Sequence, residues 1–387
     1  MENKRRTYSA PRRSRASLIV LIVLALLLMI AAIVLAASLP DEIDLPDETS
    51  PIIAQPKLDT GYDTDYLQAQ NSWPHMDGAV RLTNNQLSLL NIQGQEIFSA
   101  QAELAAPFCV TAGTYLLAAD RDGHNYLMIN NERVLFAGNL PGRIVGAAVR
   151  ADGWLALIED QTDGHGIVHI YEPDTGLKLF DCYFPESGYV LSVAFSPYED
   201  VFDVALLNTD GSSLQTVFKR YRLDGQEMGQ LMPESQNILP MIVYNEDAQL
   251  IAGGQSEIRA LDYDKQEPVY ISQFNDIKTM LTYDNGYAFM ARERSGDRWS
   301  LYIKENSSST TAAYEAGEDL TVPVVRGSLL AVGSGTYIKV FDLDKREWLL
   351  DQNLAVEIIR VGFASDSSLT LITRTGVRRL NLSEQGG

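Results

Sequence analysis

The chain has 387 residues, 45% of them hydrophobic and 21% charged, with 51 Asp and Glu against 31 Lys and Arg, a net charge of −20. That composition excludes a wholly disordered or collagen-like chain. The acidic excess argues against a nucleic-acid binder, which needs a basic face to neutralise phosphates.

The charge is uneven along the chain. Residues 1–16 hold Lys4, Arg5, Arg6, Arg12, Arg13 and Arg15 against Glu2, a net of +5, which leaves −25 for the rest. Residues 18–37 then run for twenty positions without a charge, glycine or proline. At about 1.5 Å per residue, a helix of that length spans roughly 30 Å, the thickness of a bilayer's hydrocarbon core. Arginines before it and Asp41, Glu42, Asp44, Asp47 and Glu48 after it place the N-terminus inside and the bulk of the chain outside the cytoplasm. Ala36, Ala37 and Ser38 offer a signal-peptidase site, but the apolar core exceeds the usual 7–15 residues, which favours an uncleaved signal-anchor. Pro40, Pro46, Pro51 and Pro56 recur among acids, the composition of an extended spacer. The expected organisation is a basic cytoplasmic tail over 1–16, a transmembrane signal-anchor over 17–38, an extracytoplasmic linker over 39–60 and one folded domain over 61–387.

From residue 61 short apolar runs alternate with turn signals. Runs at 115–119, 154–158, 204–207 and 369–373 are bounded by Asp122-Gly123, Asp163-Gly164, Asp210-Gly211 and Asn285-Gly286. Such dipeptides supply the positive φ angles of tight hairpins, so the domain is expected to be nearly all β. One strand–turn–strand pattern recurs, as in Leu89-Leu90-Asn91-Ile92-Gln93-Gly94 and Phe341-Asp342-Leu343-Asp344-Lys345-Arg346. Its turns fall near 94, 131, 176, 225, 265, 306, 345 and 384, seven intervals of about 41 residues. A period of that length, built of four short strands, predicts a β-propeller. Eight turns favour eight blades, each turn joining the third strand to the outermost; discounting a weaker copy, at 131 or 306, leaves seven. The chain stops at the eighth turn, so residues 61–76, around Tyr62 to Leu67, are expected to supply the missing outer strand.

Over residues 61–385 the pattern resembles WD40-like and quinoprotein-like propellers, without the Gly-His and Trp-Asp dipeptides of true WD40 blades. With its tail and anchor, the whole chain resembles an uncharacterised family of clostridial-type, single-pass membrane-anchored propellers. That resemblance implies an exposed bacterial domain and no particular activity.

Residues that could carry chemistry are few. His165 and His169 sit on one expected strand, roughly 13 Å apart and too far for a shared metal. His75 and His124 are isolated. Asp120 and Asp122, Asp262 and Asp264, and Asp59, Asp63 and Asp65 resemble fragments of calcium loops, but an EF-hand counted from Asp120 meets Asn131 where it needs Glu. Neither Ser196 nor Ser334 has a nucleophile-elbow context. Cys109 and Cys182 are expected to be separate buried thiols, on an inner and an outer strand of successive blades. No catalytic, cofactor or metal residue is therefore assigned. The favoured function is a non-catalytic module binding a protein or glycan on the outer side of the membrane. The alternative is an enzyme or small-ligand receptor at the mouth of the propeller's central channel, where a site assembled from one residue per blade escapes motif searches.

Overall fold

A computed structural model describes residues 58–161, 166–185, 188–209, 213–235, 237–245, 248–264, 268–305 and 311–382. Within them the β-rich texture folds into eight four-stranded antiparallel sheets, with Tyr66–Gln70 as the one described helix. The first strands are Ser72–His75, Pro107–Ala112, Arg143–Val149, Tyr189–Phe195, Met241–Tyr244, Asp276–Tyr283, Val324–Arg326 and Ile358–Ser365. From blade 2 to blade 8 these neighbour one another in succession, those of blades 8 and 1 meet, and an apolar cluster joins blades 1 and 2, so they line the centre of a closed ring. The chain is an eight-bladed propeller, and the seven-blade alternative is excluded.

The recurring turn is the hairpin between third and fourth strands. It places a left-handed residue at Gly94, Asn131, Gly176, Gly225 and Arg346. Beside it the register slips by one residue, for example at Leu89/Leu90, Ile170/Tyr171 and Val340/Phe341, as a β-bulge requires. Gly176 has a second constraint: a Cβ there would lie 2.3 Å from the Phe136 ring of the preceding blade. The turns near 265, 306 and 384 lie outside the described residues, although the strands flanking the first two are third and fourth strands as expected.

Closure uses the N-terminal strand Leu58–Asp63, which pairs with Gly376–Asn381 from Leu58↔Leu380 to Asp63↔Gly376. This strand begins three residues before the expected domain start, inside the stretch read as linker. Tyr66 and Leu67, expected in the same strand, belong instead to the short helix. Asp65 ends the strand because its carboxylate accepts from the Gln68 N–H at 2.8 Å and caps that helix.

Second strands are sandwiched on both faces, and their two-residue period divides them between neighbours. Leu116 and Ala118 pack toward blade 1, whereas Leu117 and Ala119 pack toward blade 3. Each of the eight seams between blades has an apolar cluster of this kind. The seam between blades 8 and 1 is the thinnest, with Ala69, Ala79, Ile372 and Val377 as its buried members. Hydrogen bonds supplement it: Arg360 donates to the Ser72 carbonyl at 3.0 Å and Arg379 to the Asp77 carbonyl. Residues 18–37 lie outside the described residues, within which no helix is long and apolar enough to cross a membrane.

Candidate functional site

Inner strands present alternate side chains to the central channel, and two cavities open along it. The larger, about 770 Å³, is walled by inner-strand residues of blades 7, 8, 1 and 2, including Trp73, His75, Cys109, Val325, Arg360 and Phe363. The second, about 480 Å³, is walled by Trp73, Phe108, Cys109, Arg121, Val145 and Arg360, among others. Trp73, Cys109 and Arg360 border both. No Asp or Glu is among the residues walling either cavity.

Arg360 lies on the third position of the inner strand of blade 8, with its guanidinium carbon 4.5 Å from the centre of the Trp73 ring. Nη1 donates to the carbonyls of Ser72 and, at 3.4 Å, Ala69. Burial lowers its pKa from the ordinary arginine value, the mark of a cation held in place of water without a carboxylate. Arg121, in the turn after the second strand of blade 2, stacks on Phe108 at 4.8 Å. Burial pushes the Cys109 thiol well above its ordinary range, so it stays protonated, although the residue as a whole is only partly buried. His75 is buried with Nε2 unpartnered among the described residues, and burial lowers its pKa to about 4. It is therefore a neutral imidazole at pH 7.

Two buried carboxylates elsewhere in the ring are paired. Asp203, fully buried on the second strand of blade 4, accepts from Arg220 Nε at 3.1 Å and Nη2 at 2.8 Å. It also accepts from the hydroxyls of Tyr244 and, at 2.5 Å, Tyr263 on blade 5. Burial would lower the Arg220 pKa, but hydrogen bonds and the Asp203 charge raise it instead. In blade 3, His169 places Nδ1 2.6 Å from Asp181 and Nε2 2.9 Å from Glu159. Desolvation pushes Asp181 up, and hydrogen bonds from Lys178 and His169 more than offset it, leaving that carboxyl below its usual range. A third cavity, about 520 Å³ between blades 6 and 7, carries both signs, with Arg298–Glu315 at 2.6 Å and Lys339–Asp351 at 2.8 Å.

The residues singled out in sequence scatter. His165 lies outside the described residues; His169 is a strand residue as expected, held by two carboxylates that sequence spacing did not reveal. His124 Nδ1 sits 2.8 Å from the Gly142 carbonyl. Asp120, at the end of its strand, accepts from the Ala106 N–H at 2.6 Å, and Asp262 accepts from the Asp264 N–H at 2.9 Å in a turn. Asp63 pairs with Arg378 at 2.5 Å. Ser196 Oγ accepts from the N–H groups of Tyr198 and Glu199, and Ser334 ends a hairpin strand. Both cysteines are free, Cys182 buried at the seam of blades 3 and 4; Cys109 departs from the expected burial because it borders the channel. Sequence reasoning missed Trp73, Arg121 and Arg360, which no local pattern distinguishes from other strand and turn residues.

The fold is shared with solved propellers of low identity. BamB from Moraxella catarrhalis matches at 11% identity with a TM-score of 0.54, covering 84% of this chain and 100% of that one. Sqt1 of Saccharomyces cerevisiae matches at 10% identity and a TM-score of 0.58, covering 84% and 99%. At these identities the likeness is one of fold alone. None of the curated proteins matches the chain in sequence. Residues 60–382, nearly the whole ring, match a family of unknown function (DUF5711), and the chain belongs to that family.

Proposed function

We propose that the chain is a membrane-anchored, extracytoplasmic propeller of a bacterial cell envelope that acts as a non-catalytic binding module for a protein or glycan. The observation that carries the binding role is on the outer strand of blade 3. Leu179 and Tyr183 lie on this edge strand, on either side of the paired Asp181, and Leu177 directly precedes it; the three are 40%, 63% and 58% exposed. Large apolar side chains grouped in solvent at a sheet edge mark a candidate docking surface. The tether rests on the uncharged stretch 18–37, the arginines before it and the acids after it, and the resemblance to clostridial-type anchored propellers agrees with it. The −25 beyond the tail favours a cationic partner surface, an attraction that salt screens.

Two measurements test this reading. Protease added to intact cells expressing the full chain should digest the propeller and spare an epitope on residues 1–16; a protected propeller removes the extracytoplasmic placement. In the same cells, surface cross-linking should yield an adduct that disappears in the Leu179→Asp, Tyr183→Asp double variant while that variant still reaches the membrane. An adduct unchanged by the substitutions overturns the role of the blade 3 edge.

A further inference from the structure

We propose that the central channel, at the junction of its two cavities, binds a small organic anion, a carboxylate or phosphate monoester with an apolar body, between Arg360 and Arg121. The site is independent of the tether and of any macromolecular partner.

Three observations converge. The first is an inversion of charge. In a chain of net −20, the walls of both channel cavities contain arginines and no carboxylate. The third cavity, between blades 6 and 7, has the mixed lining and closed ion pairs expected of an acidic protein. Arg326 also borders the larger cavity, but the exposed Asp366 holds it at 2.5 Å.

The second observation is the state of the two arginines. Each holds its guanidinium carbon over an aromatic ring, Arg360 over Trp73 and Arg121 over Phe108. Among the described residues neither has a carboxylate partner, and the hydrogen bonds of Arg360 use only Nη1. Nε and Nη2 remain as the adjacent pair that grips a carboxylate or phosphate in two-point fashion. Arg360 is partly buried without a counter-charge, which is costly, and an anionic ligand relieves that cost.

The third is the surround. Trp73, Val325, Ile359 and Phe363 give the larger cavity apolar walls, and 770 Å³ lies within the range of small-molecule sites. Neutral His75 and the protonated Cys109 thiol add no negative charge to repel the ligand. An aromatic or short aliphatic body fits this chemistry; a bare inorganic ion would leave the apolar wall unused.

The test uses the full chain in detergent at low salt, titrated with phenyl phosphate, benzoate and uncharged benzyl alcohol. Thermal unfolding and tryptophan fluorescence are the readouts. At least one anion should raise the Tm and quench fluorescence with increasing dose, and Trp73→Phe should remove the quench. Tighter binding of phenyl phosphate assigns the phosphate monoester, tighter binding of benzoate the carboxylate. Arg360→Met should weaken binding about tenfold or more, Arg360→Lys should recover part of it, and Arg298→Met should change nothing. If Arg360→Met does not fold, Arg121→Met carries the same test with an expected loss of about threefold or more. A benzyl alcohol response equal to that of the anions, no response to either anion, or unweakened binding in a folded arginine variant overturns the proposal.

Discussion

Two seams of the ring are each organised by an arginine, and they differ in what they give it. Between blades 4 and 5, Arg220 is locked against Asp203, and two tyrosine hydroxyls complete that carboxylate's bonds. Between blades 8 and 1, Arg360 receives two backbone carbonyls and the face of Trp73. A buried charge with all its partners present holds the ring together, whereas a cation lacking its anion is available for binding. The comparison also separates the ring's chemistry by location: paired groups between the sheets, unpaired cations on the channel wall.

The largest expected effect is at the paired seam. Asp203→Ala leaves Arg220, Tyr244 and Tyr263 facing a buried gap and should cost about 3–5 kcal/mol in urea unfolding. A loss below about 1 kcal/mol would break the contrast, because the cluster would then contribute no more than an exposed pair.

Nearly as large is a pH effect beside the other arginine. His75 has its folded pKa lowered to about 4 from 6.5. The unfolded chain therefore binds the proton more readily, so the stability is present above pH 6.5 and is lost as pH falls toward 4. The loss should approach about 3 kcal/mol. Denaturation at pH 7 and pH 4.5 measures it, and His75→Leu should flatten the difference between those two pH values relative to the parent chain. A slope unchanged by the substitution places the acid sensitivity elsewhere.

Tyr263→Phe removes one hydroxyl from Asp203 and keeps the ring under Arg220. It should cost about 1–2 kcal/mol, read from the shift in unfolding midpoint. The smallest effect belongs to Arg360→Met without ligand, about 1 kcal/mol or less, since the unpaired charge leaves together with its two bonds to carbonyl oxygens. A loss as large as that of Asp203→Ala would make Arg360 a structural strut and erase the distinction between the seams.

Much of the ring is legible in the residues. Gly94, Asn131, Gly176 and Gly225 mark the hairpin that repeats, and that hairpin does join third to fourth strands. The alternation in runs such as Tyr115–Asp120 divides each second strand between two neighbouring blades. The closing strand was legible in kind and in its second half, residues 61–63, but not in its bounds: Tyr66 and Leu67 look suitable for a strand, yet Asp65 caps a helix and leaves the pairing to Leu58–Asp63. His169 shows a further limit, because its partners Glu159 and Asp181 lie on the strands either side, in register with it only after the sheet has formed.

Period and strand content follow from the chain alone because each rests on local rules: a two-residue alternation, a positive-φ turn, and a spacing of about 41 residues; the choice of eight blades over seven came from the sheets themselves. The channel does not follow from it. Trp73, Arg121 and Arg360 belong to blades 1, 2 and 8 and meet only because the ring closes. No local rule links an arginine near one end of the chain to a tryptophan near the other, so the charge of the channel wall is a property of the folded ring.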